Sequence, residues 1–547
     1  MGKQRYDGLV AEIAKFPLVA CCCLFSFLAT AAPPELTYLY PAGGQRGETV
    51  KVTAAGAFAN WPPEVWVDRE GIDVTAAEEK NHLKFSINKD AEAGVYWLRL
   101  HDREGATRLR PFIVGNLPEV IEAEPNDDPT RPQALESSAV TVNGKLEKRG
   151  DVDSFAVTLA AGQTVIASLE AHATLASPMD GLLQVTNAEG FVLMQNDDAR
   201  GFDPLLVFKA PQEGTYIVRT FAFPATPNST IGFAGGENFV YRLTLTTGGL
   251  LDHTMPLAVN AGEPAEVELV GWNIPEAARL VEIHADNKAE QATLGHQQVA
   301  GTMRLPVVDV PVVVEHAEQS PQRITSPAVI SGTISAHGEV DQYIIPAAKG
   351  QKLSLKLESQ SLGFPLDAVL QITDGEGKVL KEVDDISKQA DPQLEFTPTA
   401  DGSLTIRVFD LHRRGGLRYA YRLTVGPPQV DYELTLATGE FVVTPATPLE
   451  IPITINRTGA FAEPIEITAQ LPAGLSAEPA TSQPKGDTAK SVKLIINATG
   501  EAASGPITIE GRSTETKIDH RARFKIGESK FTHDQPWVTA TGEPDKE

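Results

Sequence analysis

From Glu35 onward, apolar and polar residues alternate in short runs with a period of two. Thr49-Val50-Lys51-Val52-Thr53, Val95-Tyr96-Trp97-Leu98-Arg99-Leu100 and Tyr241-Arg242-Leu243-Thr244-Leu245 are examples. Such runs set one group of side chains on each face of a strand. Gly, Pro, Asn and Asp between the runs mark turns at intervals of roughly 8–12 residues. No later stretch keeps the 3.6-residue period of an amphipathic helix. The pattern predicts an all-β chain of tandem β-sandwich modules, immunoglobulin-like and jelly-roll-like, in a row.

The start of the chain reads differently. Lys3, Arg5 and Lys15 precede an apolar run from Phe16 to Ala32 that ends in Ala29-Thr30-Ala31-Ala32 before Pro33-Pro34. A positive start, a short apolar stretch and small residues at the end form a secretory signal. Cleavage is expected after Ala31, making residues 1–31 the signal peptide. The run is about 17 residues, the lower edge for a spanning helix, so an uncleaved anchor is an alternative. Lipid attachment at Cys21, after Leu18-Val19-Ala20, is another. Cleavage at Ala31 removes Cys21, Cys22 and Cys23, the only cysteines. The remainder can then form no disulfide, thiolate metal site or cysteine nucleophile. No later run is long and apolar enough to cross a bilayer.

Internal repeats organise the rest. Gly144, Gly150, Asp153, Phe155, Gly162 and Gln163 return 188 positions later as Gly332, Gly338, Asp341, Tyr343, Gly350 and Gln351. Asp203-Pro204, Phe208 and Gly214 return at the same offset as Asp391-Pro392, Phe396 and Gly402. Both copies end in Tyr-Arg-Leu-Thr, at Tyr241 and Tyr421. A weaker repeat precedes each copy: Pro41, Gly47, Glu48 and Gly56 match Pro256, Gly262, Glu263 and Gly271. The expected modules are 35–116 (small), 117–248 (large), 249–315 (small), 316–427 (large) and 428–527 (immunoglobulin-like), with 528–547 as a loose polar tail.

Composition narrows the function. The 547 residues are 42% apolar and 22% charged, which fits globular modules. A net charge of −25 excludes nucleic acid as a natural partner, because phosphate would be repelled. It suits an exported protein, periplasmic or extracellular, or one that collects cations.

The stretch Glu122–Thr246 resembles the bacterial pre-peptidase C-terminal (PPC) domain family. The match is carried by Glu122-Ala123-Glu124-Pro125-Asn126-Asp127, Gly150-Asp151-Val152-Asp153-Ser154-Phe155, Ala161-Gly162-Gln163, Asp180 and Gly214-Thr215-Tyr216. Residues Ser326–Val425 look like a second, diverged copy. The segment Pro41–Gly47 is similar to IPT/TIG-type modules, and Leu471–Leu475 to a loop of bacterial Ig-like domains. The resemblance implies jelly-roll sandwiches that sit beside secreted peptidases and aid secretion, folding or substrate attachment. Some members bind collagen and use calcium. No peptidase signature is present in this chain.

Glu122, Glu124, Asn126 and Asp127 place four oxygen-bearing side chains within six residues, and Asp151 and Asp153 share a strand face. Calcium takes six to eight such oxygens, and the resemblance places calcium ligands in these two segments. The plainer reading is a solvated acidic linker. The second copy offers Glu315, Glu318, Glu339 and Asp341 but lacks the Glu-Pro-Asn run. Asp180 and Asp367 are expected to cap turn amides. Trp61, before Pro62-Pro63, is a candidate for stacking on sugar, whereas Trp66 and Trp97, in alternating strands, are expected in the core. Arg413 and Arg414, in a basic cluster with His412 and Arg418, are candidates for holding an acidic ligand, with an exposed hairpin tip as the plainer reading.

No His-Glu-x-x-His, Gly-x-Ser-x-Gly or P-loop pattern occurs. The expectation is a non-catalytic exported protein attaching to extracellular or envelope polysaccharide or protein. The alternatives are a secreted peptidase or glycosidase with a spatially assembled site, and a structural component of an envelope assembly.

Overall fold

The computed structural model describes residues 32–226, 232–287, 289–385, 390–527, 529 and 531–541. The expected signal segment, 1–31, lies outside them. The chain is almost all β: among the described residues helix is confined to the turn His172–Leu175 and three 3-10 turns. The predicted alternation appears directly as burial. Along Leu449–Thr458, Ile451, Ile453 and Ile455 are buried, while Pro452, Thr454 and Asn456 between them face water. Each sandwich gains its stability from one such set per strand facing the other sheet.

The first module packs Glu35–Tyr40, Thr49–Ala57, His82–Ile87 and Ile72–Ala76 against a sheet of Gly43–Gln45, Arg110–Gly115, Gly94–Asp102 and Glu64–Val67. Phe85 and Phe112 stack at 4.1 Å across its core.

The two large modules have one topology. The first pairs Glu119–Ile121, Ala139–Lys145, Val240–Thr246, Thr164–Glu170 and Leu205–Lys209, facing Gln133–Ala134, Asp153–Leu159, Gly214–Pro224, Met179–Asn187 and Val192–Asn196. The second repeats this order, from Val312–Val314 beside Ala328–Thr333 to Val379–Val383 beside Ala368–Thr373. The sequence reading left Val312–Val314 in the preceding small module. It belongs instead to the large one, because it pairs parallel with Val329, Ile330 and Ser331.

The C-terminal segment is likewise not loose. Trp537–Ala540 pairs parallel with Glu440–Val443, and Trp537 is buried. The segment is polar overall, but its few apolar residues fall where they complete a sheet. The expectation of a simple row also needs correction, since the last module packs on the first. Trp97 and Leu109 join the last module's core. The Arg99 guanidinium lies 5.8 Å from both the Trp66 and Trp537 rings, and its Nη1 donates to the Gly439 carbonyl at 3.3 Å. The physical cause is the outer face of Gly94–Asp102, where Val95 and Trp97, with Trp66 beside them, pack against the last module's core.

Truncating a buried Trp costs about 3–5 kcal/mol. Trp537→Ala should therefore lower the calorimetric transition of the last module by an amount of that size. An unshifted transition would return the segment to a loose tail.

Candidate metal centre

Glu119–Ile121 pairs parallel with Ala139–Lys145, which lays the following acidic segment along the sheet. The Glu122 amide donates to the Asn143 carbonyl at 3.0 Å. At the other end of the site, Gly150 adopts a φ of +88°, a conformation glycine takes at little cost, and turns the chain into Asp153–Leu159. Asp151 and Asp153 thereby come under the acidic segment.

Each carboxylate spends one oxygen on the protein. Glu122 Oε2 accepts from the Lys145 amide at 2.7 Å and Asp151 Oδ2 from the Glu147 amide at 2.5 Å. Asp153 Oδ2 accepts from the Tyr241 hydroxyl at 2.5 Å, and Glu124 Oε2 from the Asn126 amide at 2.9 Å. The other oxygens are the notable ones. Glu122 Oε1, Asp151 Oδ1 and Asp153 Oδ1 are buried without a hydrogen bond, and so are both amide atoms of Asn126. Lys148 Nζ lies 3.4 Å from Asp151 Oδ1 and 3.3 Å from Asp127 Oδ2, the one ammonium at the site.

Ligand oxygens of Glu122, Glu124 and Asp153 lie within 4.8 Å of one another, and so do those of Glu124, Asp127 and Asp151. Glu124 is common to both groups. Buried polar atoms are nearly always paired, and a buried carboxylate oxygen without a partner is costly. Five carboxylates and an amide, with oxygens left over and aimed at shared space, fit a hard divalent cation of calcium's kind. Burial first, and then Glu124, Asp151 and Glu147, push Glu122 up to about 7. Burial and then Glu122 push Asp153 up to about 9. The five predicted carboxylates gather around this turn, and Asn126 joins them through the hydrogen bond from its backbone amide to Glu124.

Tyr241 was missed as a site residue, although it ends the repeat. It faces Gly144 across the strand pair, where a Cβ would stand 2.2 Å from its ring and hydroxyl. The repeated glycine is what lets the hydroxyl reach Asp153. The first module also contributes: the Tyr40 hydroxyl donates to the Asn143 carbonyl at 3.3 Å, and burial followed by Glu122 and Asp153 raises its pKa. The site thus sits at the joint of the first two modules.

The second large module assembles Glu315, Glu339 and Asp341 at the equivalent place; Glu318 is not among them. Tyr421 again donates to the aspartate, at 2.5 Å, and Tyr343 adds a second hydroxyl 2.6 Å from that of Tyr421, where the first copy has Phe155. Here Asp341 and Glu315 face each other, as Asp151 and Asp127 do in the first copy. The Thr333 amide donates to Glu315 at 3.0 Å, so the second cluster also spends carboxylate oxygens on the protein.

The remaining candidates fall elsewhere. Trp61 is half-buried, its indole donates to the Ala77 carbonyl at 2.7 Å and its ring meets Phe58 edge-on at 5.4 Å, the position of a core-edge aromatic. Arg413 and Arg414 are exposed on a turn held by Asp410, which accepts from the Arg414 amide at 2.8 Å. Arg418, grouped with them by sequence, instead bonds Asp252 at 3.0 Å. Turn capping, expected of Asp180, belongs to Asp203, which accepts from the amides of Ala171, His172 and Ala173; Asp391 does the same in the second copy. The buried Asp252–His253 pair, at 2.9 Å, is held by Arg200 and Arg418. Among the described residues no hydroxyl is bonded to that histidine.

No protein-family profile matches the chain. A probable subtilase-type serine protease of Deinococcus radiodurans is 33% identical over 116 residues, 21% of this chain and 15% of that protein. The chain thus covers 15% of the length of that curated relative. Among solved structures, the pre-peptidase C-terminal domain of the Bacillus anthracis collagenase matches at 14% identity and TM-score 0.16, over 19% of this chain and 92% of that one. The Bacteroides ovatus mixed-linkage glucan utilization locus protein SGBP-B, solved with a mixed-linkage heptasaccharide, matches at 12% identity and TM-score 0.15, over 72% of this chain and 75% of that one. Among the described residues no helix is long and apolar enough to cross a membrane.

The raised carboxyl pKa values fix a sign. Between roughly pH 5 and 8 the folded, cation-free chain binds more protons than the unfolded one, whose acids titrate near their ordinary values, so stability falls as pH rises. In chelator, the melting temperature of this module should drop from pH 5 to pH 8, and Asp153→Asn should flatten the drop. A flat wild-type profile would contradict the burial of these charges.

Proposed function

We propose that the chain is a non-catalytic, exported binding protein that attaches to extracellular or envelope polysaccharide or protein, and that calcium locks its first two modules together. In this reading both large modules are PPC-like sandwiches, the second diverged, and the first and third modules are small IPT/TIG-like and Ig-like spacers. Glu122, Glu124, Asn126, Asp127, Asp151 and Asp153 hold the ion, and its charge stabilises the carboxylates that burial otherwise disfavours. The single observation that carries the metal is the set of buried, unbonded oxygens on Glu122, Asp151 and Asp153. The second module, which lacks the Glu-Pro-Asn run, holds none.

A ligand that binds only the native state stabilises it by RT ln(1 + [L]/Kd), about 2.7 kcal/mol at a hundredfold excess over Kd. Calcium should therefore raise the melting temperature of the full chain at pH 7.5, and chelator should reverse it. Asp153→Asn should abolish the calcium response while raising the melting temperature in chelator, because it removes the cost of keeping a buried acid protonated at that pH. Glu339→Gln should leave the response intact. A wild-type melting temperature indifferent to calcium would overturn the metal assignment.

A further inference from the structure

Val192–Asn196 ends its sheet and pairs on one side only, with Met179–Asn187. Phe191, Val192, Leu193 and Met194 stand next to one another there, exposed by 70%, 50%, 45% and 42%. Soluble β proteins protect such edges with lysines, inward charges or coverage, because a bare apolar edge recruits other strands.

The chain contains its own control. Val379–Val383 occupies the same place in the second large module, pairs with Ala368–Thr373 and carries the same register shift. Val185 faces Met194 in one copy where Ile372 faces Lys381 in the other. Lys378 and Lys381 thus stand where Phe191 and Met194 do, and Glu382 where Gln195 does. Lys381 Nζ donates to the Glu395 carbonyl at 2.9 Å, and Glu382 accepts from Gln371 at 2.5 Å. Val379 and Leu380, exposed by 47% and 40%, match Val192 and Leu193, so both edges carry an exposed apolar pair. One copy flanks that pair with lysines, and the other extends it with Phe191 and Met194.

We propose that the edge Phe191–Met194 docks an extended segment of another protein, apolar in its middle and bearing Lys or Arg at both ends. The charges select this occupant. Exposed Glu189 lies before the strand, and exposed Asp197 and Asp198 after it. Antiparallel pairing with a second copy would set Glu189 against those aspartates, in a chain of net charge −25. The same acids repel anionic lipid. A strand with cationic flanks meets them favourably, its backbone using the free side of the edge and its side chains the apolar patch. This deepens the binding reading by naming a protein segment as partner, and it does not depend on calcium.

Fluorescence anisotropy of the full chain with dye-labelled Lys-Lys-Val-Thr-Val-Thr-Val-Lys-Lys tests it. Saturable binding is expected, weakened about tenfold or more when Glu replaces the flanking Lys, and unaffected by chelator. Phe191→Lys with Met194→Lys copies the second module's residues, so the fold should tolerate it, and it should weaken binding by a similar factor. If that variant fails to fold, Leu193→Glu serves in its place. The proposal is overturned by no saturable binding below about 1 mM, or by equal binding to the variant. It is also overturned if the variant instead abolishes a concentration-dependent dimer or adsorption to phosphatidylglycerol vesicles. Loss of the calcium response alone would leave it standing, since no carboxylate of the acidic site takes part in the docking.

Discussion

In each large module a buried aspartate on the first core strand gives one oxygen to a tyrosine hydroxyl from the last strand. The tyrosine can reach because the residue across from it is glycine, Gly144 or Gly332, and any side chain there would collide with the ring. This pairing holds a carboxylate inside a β-sandwich that would otherwise exclude it. Everything distinctive about the two copies follows from what meets the aspartate's other oxygen. In one copy Glu315 and Glu339 gather beside it. In the other, a lead-in segment rich in acids surrounds it with more negative charge, and its second oxygen is buried without a hydrogen bond. The same scaffold thus carries two acidic clusters with different surroundings.

The joints between modules use the same physics with the opposite sign. At the first joint Arg242 is buried against Glu119, which also accepts from Asn143 at 2.7 Å. At the centre Asp252 is held down to about 2 despite its burial, by His253 and by Arg200 and Arg418 from the two large modules. A buried ion pair adds little net stability but penalises wrong arrangements heavily, because separating it strands a charge. The Asp252 contacts fix how the third module sits between the two large ones, while Arg242 and Glu119 both belong to the first large module.

Much of this was legible in the sequence because β structure writes itself locally. Period-two alternation and turn residues revealed the strands, and a constant offset revealed the twin modules. The acids of the site were legible as a group because they fall in two short runs. What the sequence hid is long-range. Nothing local shows that Trp537 completes a sheet begun at Glu440, or that Arg418, beside two exposed arginines, spans to Asp252. The capping carboxylate was placed at Asp180 because that residue precedes a strand. The work is done by Asp203, some thirty residues from the amides it caps, and only its recurrence as Asp391-Pro392 hinted at a role.

The clasp between the first and last modules has a mechanical consequence. Arg99 lies between two indole rings with its Nε and Nη2 unbonded, so the contact consists of flat faces, one carbonyl bond and an ion pair to Glu440 at 3.4 Å in place of a hydrogen-bonded ladder. Tension that draws those two modules apart loads this stack before it loads any sheet. The stack slips by shear and has few directional bonds to break, whereas each sandwich resists through several strands at once. The molecule should therefore extend in two stages, a soft release of the clasp followed by stiff, intact sandwiches.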